Sequence, residues 1–272
     1  MRPSTRMVVL NRQRYALDLI PVVAASAYSL RRLSGSWTGA AIRVRRSSDN
    51  AEIDIGFIGE GLDVVRLLAF VGTGNGFVVI WYDQMNNRHA TQATPSNQPR
   101  IVTNGVLETA NGRPAIRFNG INTFFNGVPF SLSQFTLTMV LNDVTQASSI
   151  RYPIGTNDTI TGRGVFSSFQ LNSNKSLGYI SDSNLVVQTN FLPTIGQPYV
   201  ASLTTSATNT NIWANGGNNT SGSKLTLKNL YIGQRGDNDW YYDGYNSETI
   251  VYTTNRQELE RNQGAYYSIA IS

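Results

Sequence analysis

Residues 41–57 read AIRVRRSSDNAEIDIGF. Ile42 and Val44 alternate with Arg43 and Arg45, and after SSDN, Ile53, Ile55 and Phe57 alternate with Glu52 and Asp54. A period of two puts every second side chain on one face of an extended strand, and Ser, Asp and Asn are turn formers. The stretch therefore predicts an antiparallel hairpin, with Ile42, Val44, Ile53, Ile55 and Phe57 buried and Arg43, Arg45, Glu52 and Asp54 on the opposite face. Opposite charges facing each other across two strands contribute about 0.2–1 kcal/mol per pair. Glu52 and Asp54 are thus expected to partner the arginines and not to form a catalytic carboxylate pair. Arg46, beside the turn, is the arginine left to touch a partner.

The rest of the chain repeats this pattern. Of 272 residues 40% are apolar and only 14% charged, enough to bury a large core, and the 24 glycines and 13 tyrosines favour short strands joined by tight turns. Strands are predicted at 76–84, 114–120, 134–143, 164–171, 175–180, 184–189, 198–205, 210–216, 224–234 and 244–254. Amphipathic strands without intervening helices need a second sheet to cover them, so the expected fold is an all-β jelly-roll sandwich. A few short peripheral helices accompany it. Apolar residues at 23, 27, 30 and 33 suggest one within 18–33; residues 62–72 suggest a second, with Leu62, Val65, Leu68 and Ala69 on one face and Gly72 as C-cap; a third follows Asn255 as N-cap. The expected organisation is a basic arm at 1–15 and one jelly-roll domain at 16–272.

Several chemistries are excluded by what the chain lacks. It has no cysteine and a single histidine, His89, so thiolate and histidine-based metal clusters are out of reach, and neither a metal nor a cofactor is expected. The first twenty residues hold no apolar run of signal-peptide type, and no stretch is long enough to span a membrane. Charge is uneven: residues 1–46 carry nine arginines against one acid, Asp18, while the remainder is net negative. This argues for an arm that docks on an acidic protein neighbour, with Arg2, Arg6, Arg12, Arg14 and Arg46 as anchors. No nucleic-acid-binding signature accompanies these arginines, and no nucleic-acid partner is expected.

Three segments together carry a resemblance: AYSLRRL with AIRVRRSSDNAEIDIGF, then FVVIWYDQMNNRHATQATPSNQP, then YIGQRGDNDWYYDGYNSETIVYTTNRQELE. They resemble the arabinofuranosidase B-type catalytic domain and its LamG-like, concanavalin A-like relatives, some of them bacteriophage virion and tail proteins. The most specific piece is the polar run at 82–93. The resemblance implies a concanavalin A-like jelly roll over roughly residues 16–270. It also implies, for the hydrolytic members, a glutamate nucleophile and an aspartate acid/base, the two carboxylates that a retaining glycosidase needs. Asp237, in RGDND, matches the aspartate. The glutamate has no counterpart, since no glutamate lies between Glu108 and Glu248, and the family's cysteines are also missing. Asp143, Asp158 and Asp182 occupy no matching motif.

With one matched carboxylate and no partner for it, no catalytic residue is assigned, and the reading leans to a non-enzymatic virion structural protein of a phage: a capsid decoration, head fibre or tail adhesion module that also binds glycan. Its expected partners are other virion proteins, further copies of itself and a host surface glycan, and its expected location is the virion. The alternative is a glycoside hydrolase of arabinofuranosidase type or a host-glycan depolymerase. Asp237, Asp239, Trp240, Tyr242 and Asp83 are the glycan-binding candidates, because aromatic faces stack on sugar rings while carboxylates accept hydroxyl hydrogen bonds. For Asp83 and Gln84, securing the following Asn-rich loop through side-chain to backbone bonds is the favoured role over touching a ligand. His89 reads as a hydrogen-bonded loop residue.

Overall fold

A computed structural model describes residues 15–20, 24–145, 151–156, 164–171, 174–180, 186–235, 240–252 and 257–272. Two antiparallel sheets face each other across one core. The larger runs, in spatial order, Gly217–Ser223, Asn209–Ala214, Tyr199–Thr205, Thr136–Asp143, Asp243–Tyr252, Ile116–Asn119, Arg100–Thr103, Gly76–Trp81, Ile42–Arg46, Glu52–Ile55. The smaller runs Phe125–Leu132, Leu227–Ile232, Arg151–Gly155, Gly164–Leu171, Asn174–Ile180, Val186–Gln188. Neighbours distant in sequence pair repeatedly, which makes this the all-β jelly roll expected from the strand pattern. Between the sheets lie Trp81, Phe118, Phe125, Leu137, Met139, Ile154, Leu203, Leu230, Ile232 and Tyr242.

The hairpin forms in the register that alternation requires: Ile42↔Ile55, Arg43↔Asp54, Val44↔Ile53, Arg45↔Glu52. Ile42, Val44 and Ile55 are buried, and Ile53 and Phe57 are half-buried against the core. Arg43 meets Asp54 two-pronged at 2.8 and 3.0 Å, as expected. Arg45 does not take Glu52. Its guanidinium turns to Gln98 Oε1 and Asn50 Oδ1, both at 2.7 Å, and lies 4.8 Å over the Phe77 ring.

The structure corrects three expectations. Among the described residues around 18–33, Ala16–Leu19 is a short helix, and Ala24–Ser29 is a strand, paired with Asp243–Tyr252 through Ala27↔Ile250 and Ser29↔Glu248. Tyr28 faces the inter-sheet core, whereas Ala24 and Ala27 face a second cluster with Leu17, Leu33, Ile250 and Leu259. A strand buried on both faces loses its period of two, and its apolar residues can then mimic a helix. The helix Val64–Val71 is present, capped by Asp63 and ended at Gly72, but it buries Leu67 and Val71 and leaves Val65 exposed. Between the strands expected at 210–216 and 224–234, where none is expected, Gly217–Ser223 forms an edge strand of the larger sheet. The third helix is Gln257–Tyr267; Asn255 lies outside the described residues. Among the described residues no helix is long and apolar enough to cross a membrane.

Candidate functional site

The chain enters the central strand Asp243–Tyr252 through three aromatics with different fates. The backbone of Tyr242 is pinned on both sides, its N–H donating to Gly233 O (2.9 Å) and its carbonyl accepting from Gly120 N (2.8 Å). Its side chain runs inward, ring against Phe118, and the hydroxyl donates to Asp143 Oδ1 at 2.9 Å. Tyr199 donates to the same carboxylate at 3.3 Å. Burial and the charge of Asp143 push the Tyr242 phenol well above its ordinary pKa. Tyr241 instead meets Phe124, ring centroids 5.9 Å apart. Trp240 stays at the surface, 39% exposed, in the left-handed region at φ 60°. A bulky residue there is a true backbone outlier, and such strain persists where the surroundings impose it, often at ligand sites.

A short loop supports this end. Asn119 Oδ1 accepts the backbone N–H groups of Ile121, Asn122 and Thr123 at 2.9, 3.0 and 3.2 Å, fixing the turn that carries exposed Ile121. Arg151 Nη1 donates to Gly120 O (2.8 Å) and Tyr241 O (3.4 Å), joining this turn to the Trp240 segment. Asp243 is held between Arg117 Nη2 and Thr145 Oγ1, each at 2.6 Å. Next to the turn, on the outer face of the larger sheet, opens a cleft of about 310 Å³ lined by Phe77, Ser96, Gln98, Arg100, Arg117, Asn119 and Thr123.

Of the glycan candidates, Trp240 alone is seen at the surface; Asp237 and Asp239 lie outside the described residues, as do Asp158 and Asp182. Tyr242 and Asp83 are corrected, since both are buried. Asp83 accepts four backbone amides, from Ala27 (2.8 Å), Met85 (3.0 Å), Asn86 and Arg88 (both 3.1 Å), so it organises the 83–88 turn instead of meeting a ligand. Burial raises its pKa above the usual carboxylate range even though those amides pull it down. Gln84 does the same work, accepting from Leu33 N and donating to Arg31 O, both at 2.8 Å. His89 Nδ1 accepts Asp83 N at 3.1 Å. Asp143, enclosed between two phenols, presents no carboxylate to solvent.

Arg46 is corrected as well. It closes on Asp49 at 2.8 and 2.6 Å, donates to Phe70 O at 3.1 Å and stacks over the Phe70 ring. The SSDN turn brings Asp49 back over the strand end, so the arginine is satisfied within its own hairpin. Arg2, Arg6, Arg12 and Arg14 lie outside the described residues. Sequence reasoning missed Arg100, Arg117 and Phe77. The available signal was an outward Arg at alternating positions of RIVT and IRFN, masked by the heavier charge of the N-terminal sixth.

No family model matches the chain, and no curated protein matches it by sequence. Solved structures do. An arabinofuranosidase complexed with arabinofuranosyl-α-1,2-xylobiose superimposes with a TM-score of 0.66 at 19% identity, over 91% of this chain and 62% of that one. A GH54 α-L-arabinofuranosidase soaked with a cyclic sulfate inhibitor gives 0.65 at 18% over the same shares. The fold is the arabinofuranosidase-type jelly roll. This chain spans about 62% of those enzymes' length. Trypanosoma rangeli sialidase in complex with sialic acid matches more distantly, with a TM-score of 0.50 at 15% identity over 71% of this chain and 32% of that one.

Proposed function

We propose that the protein engages a glycan through the end of the sandwich marked by Trp240. The observation that carries this reading is Trp240 itself: a half-exposed indole in a left-handed conformation, one residue past the segment whose Asp237 matches the hydrolytic family's acid/base. An indole face stacks on the C–H face of a sugar ring, and Asp237 and Asp239, close by in sequence, are of the residue type that accepts hydroxyl hydrogen bonds. A host surface glycan is the natural ligand in this reading.

Hydrolysis of a furanoside is the second reading, favoured by the likeness to arabinofuranosidases and by Asp237. Turnover by two carboxylates needs them about 5–5.5 Å apart for retention or about 6.5–9.5 Å for inversion. Of the described carboxylates at this end, Asp143 is closed in by Tyr199 and Tyr242, and Asp243 is held by Arg117 and Thr145. Neither of these two is the partner that Asp237 needs, so the binding reading rests on Trp240 and the hydrolytic one on Asp237 and on the likeness to arabinofuranosidases. The biological setting that suits the binding reading is a phage particle, with the arginine-rich stretch containing Arg2, Arg6, Arg12 and Arg14 docking the module on other virion proteins.

The test is glycan-array binding together with reducing-sugar release on arabinose-containing and capsular polysaccharides. Binding lost in Trp240→Ala, with no release, supports the primary reading. Release abolished by Asp237→Asn moves the assignment to hydrolase, and neither binding nor release overturns both. Deleting residues 1–14 is expected to stop incorporation into particles while the sandwich stays folded; normal assembly of the truncated chain would remove the virion setting.

A further inference from the structure

We infer that the outer-face cleft between Arg100 and Arg117 is a second carbohydrate site, specific for a sugar bearing a carboxylate, that is, a hexuronate residue of an acidic glycan. The cleft lies on a cross-strand row of the larger sheet, in which Arg45 is paired with Phe77, Phe77 with Arg100, Arg100 with Arg117 and Arg117 with Tyr245. Alternation points these side chains away from the core, since Val44, Val78, Ile101, Ile116 and Phe118 are the buried neighbours.

Two like charges directly opposite each other on antiparallel strands are destabilising unless a counter-charge joins them. The row contains three guanidiniums and binds two carboxylates, Glu108 on Arg100 (2.7 Å) and Asp243 on Arg117 (2.6 Å); Arg45 bonds to the neutral side chains of Gln98 and Asn50. Glu52, opposite Arg45 in register, balances the third charge, so what the row leaves unused is hydrogen-bond donors and not net charge. Arg100 bonds through Nε alone, so both of its Nη groups remain to donate, and its side chain is 38% exposed. Arg117 bonds Asp243 through Nη2, while Nη1 reaches Gly244 O only at 3.5 Å. A carboxylate between the two arginines would take up these unused donors by two-pronged bonding, the geometry that guanidinium favours.

The remaining lining specifies what carries that carboxylate. Phe77, whose ring carries the Arg45 guanidinium on one face, contributes apolar surface, and Ser96, Asn119 and Thr123 also line the cleft with hydroxyl and amide groups. An anionic group, a ring of C–H bonds and several hydroxyls describe a uronate better than a phosphate or a simple carboxylic acid. The volume of about 310 Å³ lies at the small end of ligand pockets, about 300–1,000 Å³, and suits one sugar unit of a longer chain. This assignment goes beyond the Trp240 end and does not depend on it.

The experiment is calorimetric titration of the full chain with D-glucuronate, D-glucose, acetate and inorganic phosphate. Glucuronate is expected to bind at least about tenfold more tightly than glucose or acetate, the loss that removing a charge-assisted fork or the sugar hydroxyls entails. Arg100→Gln removes that preference, Arg100→Lys restores only part of it, and Trp240→Ala leaves it intact. Glucuronate binding no tighter than acetate, phosphate binding more tightly than glucuronate, or an unchanged affinity in Arg100→Gln overturns the assignment. Should Arg100→Gln lower the melting temperature, the wild-type protein decides: glucuronate must shift the NMR amide signals of Phe77, Arg100, Arg117 and Asn119, and shifts confined elsewhere overturn it.

Discussion

The guanidinium of Arg31 meets the carboxylate of Glu248 two-pronged, at 2.8 and 3.1 Å, with both side chains out of solvent. Ser29 Oγ adds 2.8 Å to Glu248, Asn262 Oδ1 accepts from Arg31 at 2.8 Å, and Tyr266 lies 4.4 Å under the guanidinium. Burial opposes the charge of Arg31, but Glu248, by charge and hydrogen bond, holds its pKa above the ordinary value. The segments AYSLRRL and GYNSETIVY, distant in sequence, thus meet here, and this part of the resemblance has a structural cause. Breaking a buried pair from one side leaves an uncompensated charge and costs about 3–5 kcal/mol. Arg31→Met and Glu248→Gln should each lose that much in urea unfolding, with the double variant losing less than their sum. Single losses within the range of a surface pair would contradict it.

Gly120 sits at φ 73°, and a Cβ placed there would lie 2.7 Å from Asp243 Cβ. Gly112 has the same φ but open space around it. An L-residue in the left-handed region costs about 1–2 kcal/mol on its own account. Gly112→Ala should show that cost alone, and Gly120→Ala should exceed it, because Asp243 must shift off Arg117 and Thr145. Equal melting temperatures for the two variants would mean the close approach carries no energy.

What the sequence makes legible depends on whether a residue's chemistry and its period agree. The hairpin at 42–55 was readable because each residue serves one face, so chemistry and period agree. Ala24–Ser29 was not, since Tyr28 and Ala27 are buried on opposite faces and no polar face remains to mark the period. Phe125–Leu132 hid behind Gly127 and Pro129, which an edge strand tolerates. Asp83, whose loop-securing role holds while its ligand role does not, and Tyr242 turn on something else. Where a polar side chain goes depends on which backbone amides or carboxylates the fold leaves unsatisfied, and neither the amides of the 83–88 turn nor Asp143 can be placed without the pairing. The juxtaposition of Arg100 with Arg117 likewise exists only through strand register.

Tyr242 makes the shorter of the two phenol bonds to Asp143, 2.9 against 3.3 Å. Tyr242→Phe keeps the ring against Phe118 and removes that donor from a buried carboxylate, a change worth about 1–3 kcal/mol. The loss should appear in chemical denaturation without any change in glycan binding at Trp240. A binding defect in a variant of undiminished stability would instead place Asp143 in contact with ligand.

Acid sensitivity follows from Asp54 and Glu108. The hydrogen bond from Arg43, aided by Tyr82, holds Asp54 below the usual carboxylate range; for Glu108 burial pushes upward, but Thr103, Arg100 and Tyr245 outweigh it and the net displacement is downward. A carboxylate whose folded pKa is lowered binds protons first in the unfolded chain. Its stabilisation is complete above the ordinary carboxylate pKa, about 4, and disappears as pH falls through the lower folded value. Asp83 has the opposite sign: burial raises it, the folded chain holds the proton longer, and stability declines as pH rises through its window. The Arg43–Asp54 pair is more than one-third exposed, so screening limits it to about 0.2–1 kcal/mol. Urea midpoints measured from pH 7 down to pH 3 should therefore fall in the wild type and fall less steeply in Asp54→Asn and Glu108→Gln, with the larger flattening in Glu108→Gln, whose carboxylate is the more buried. Parallel curves for all three proteins would show that neither carboxylate is held by its arginine in solution.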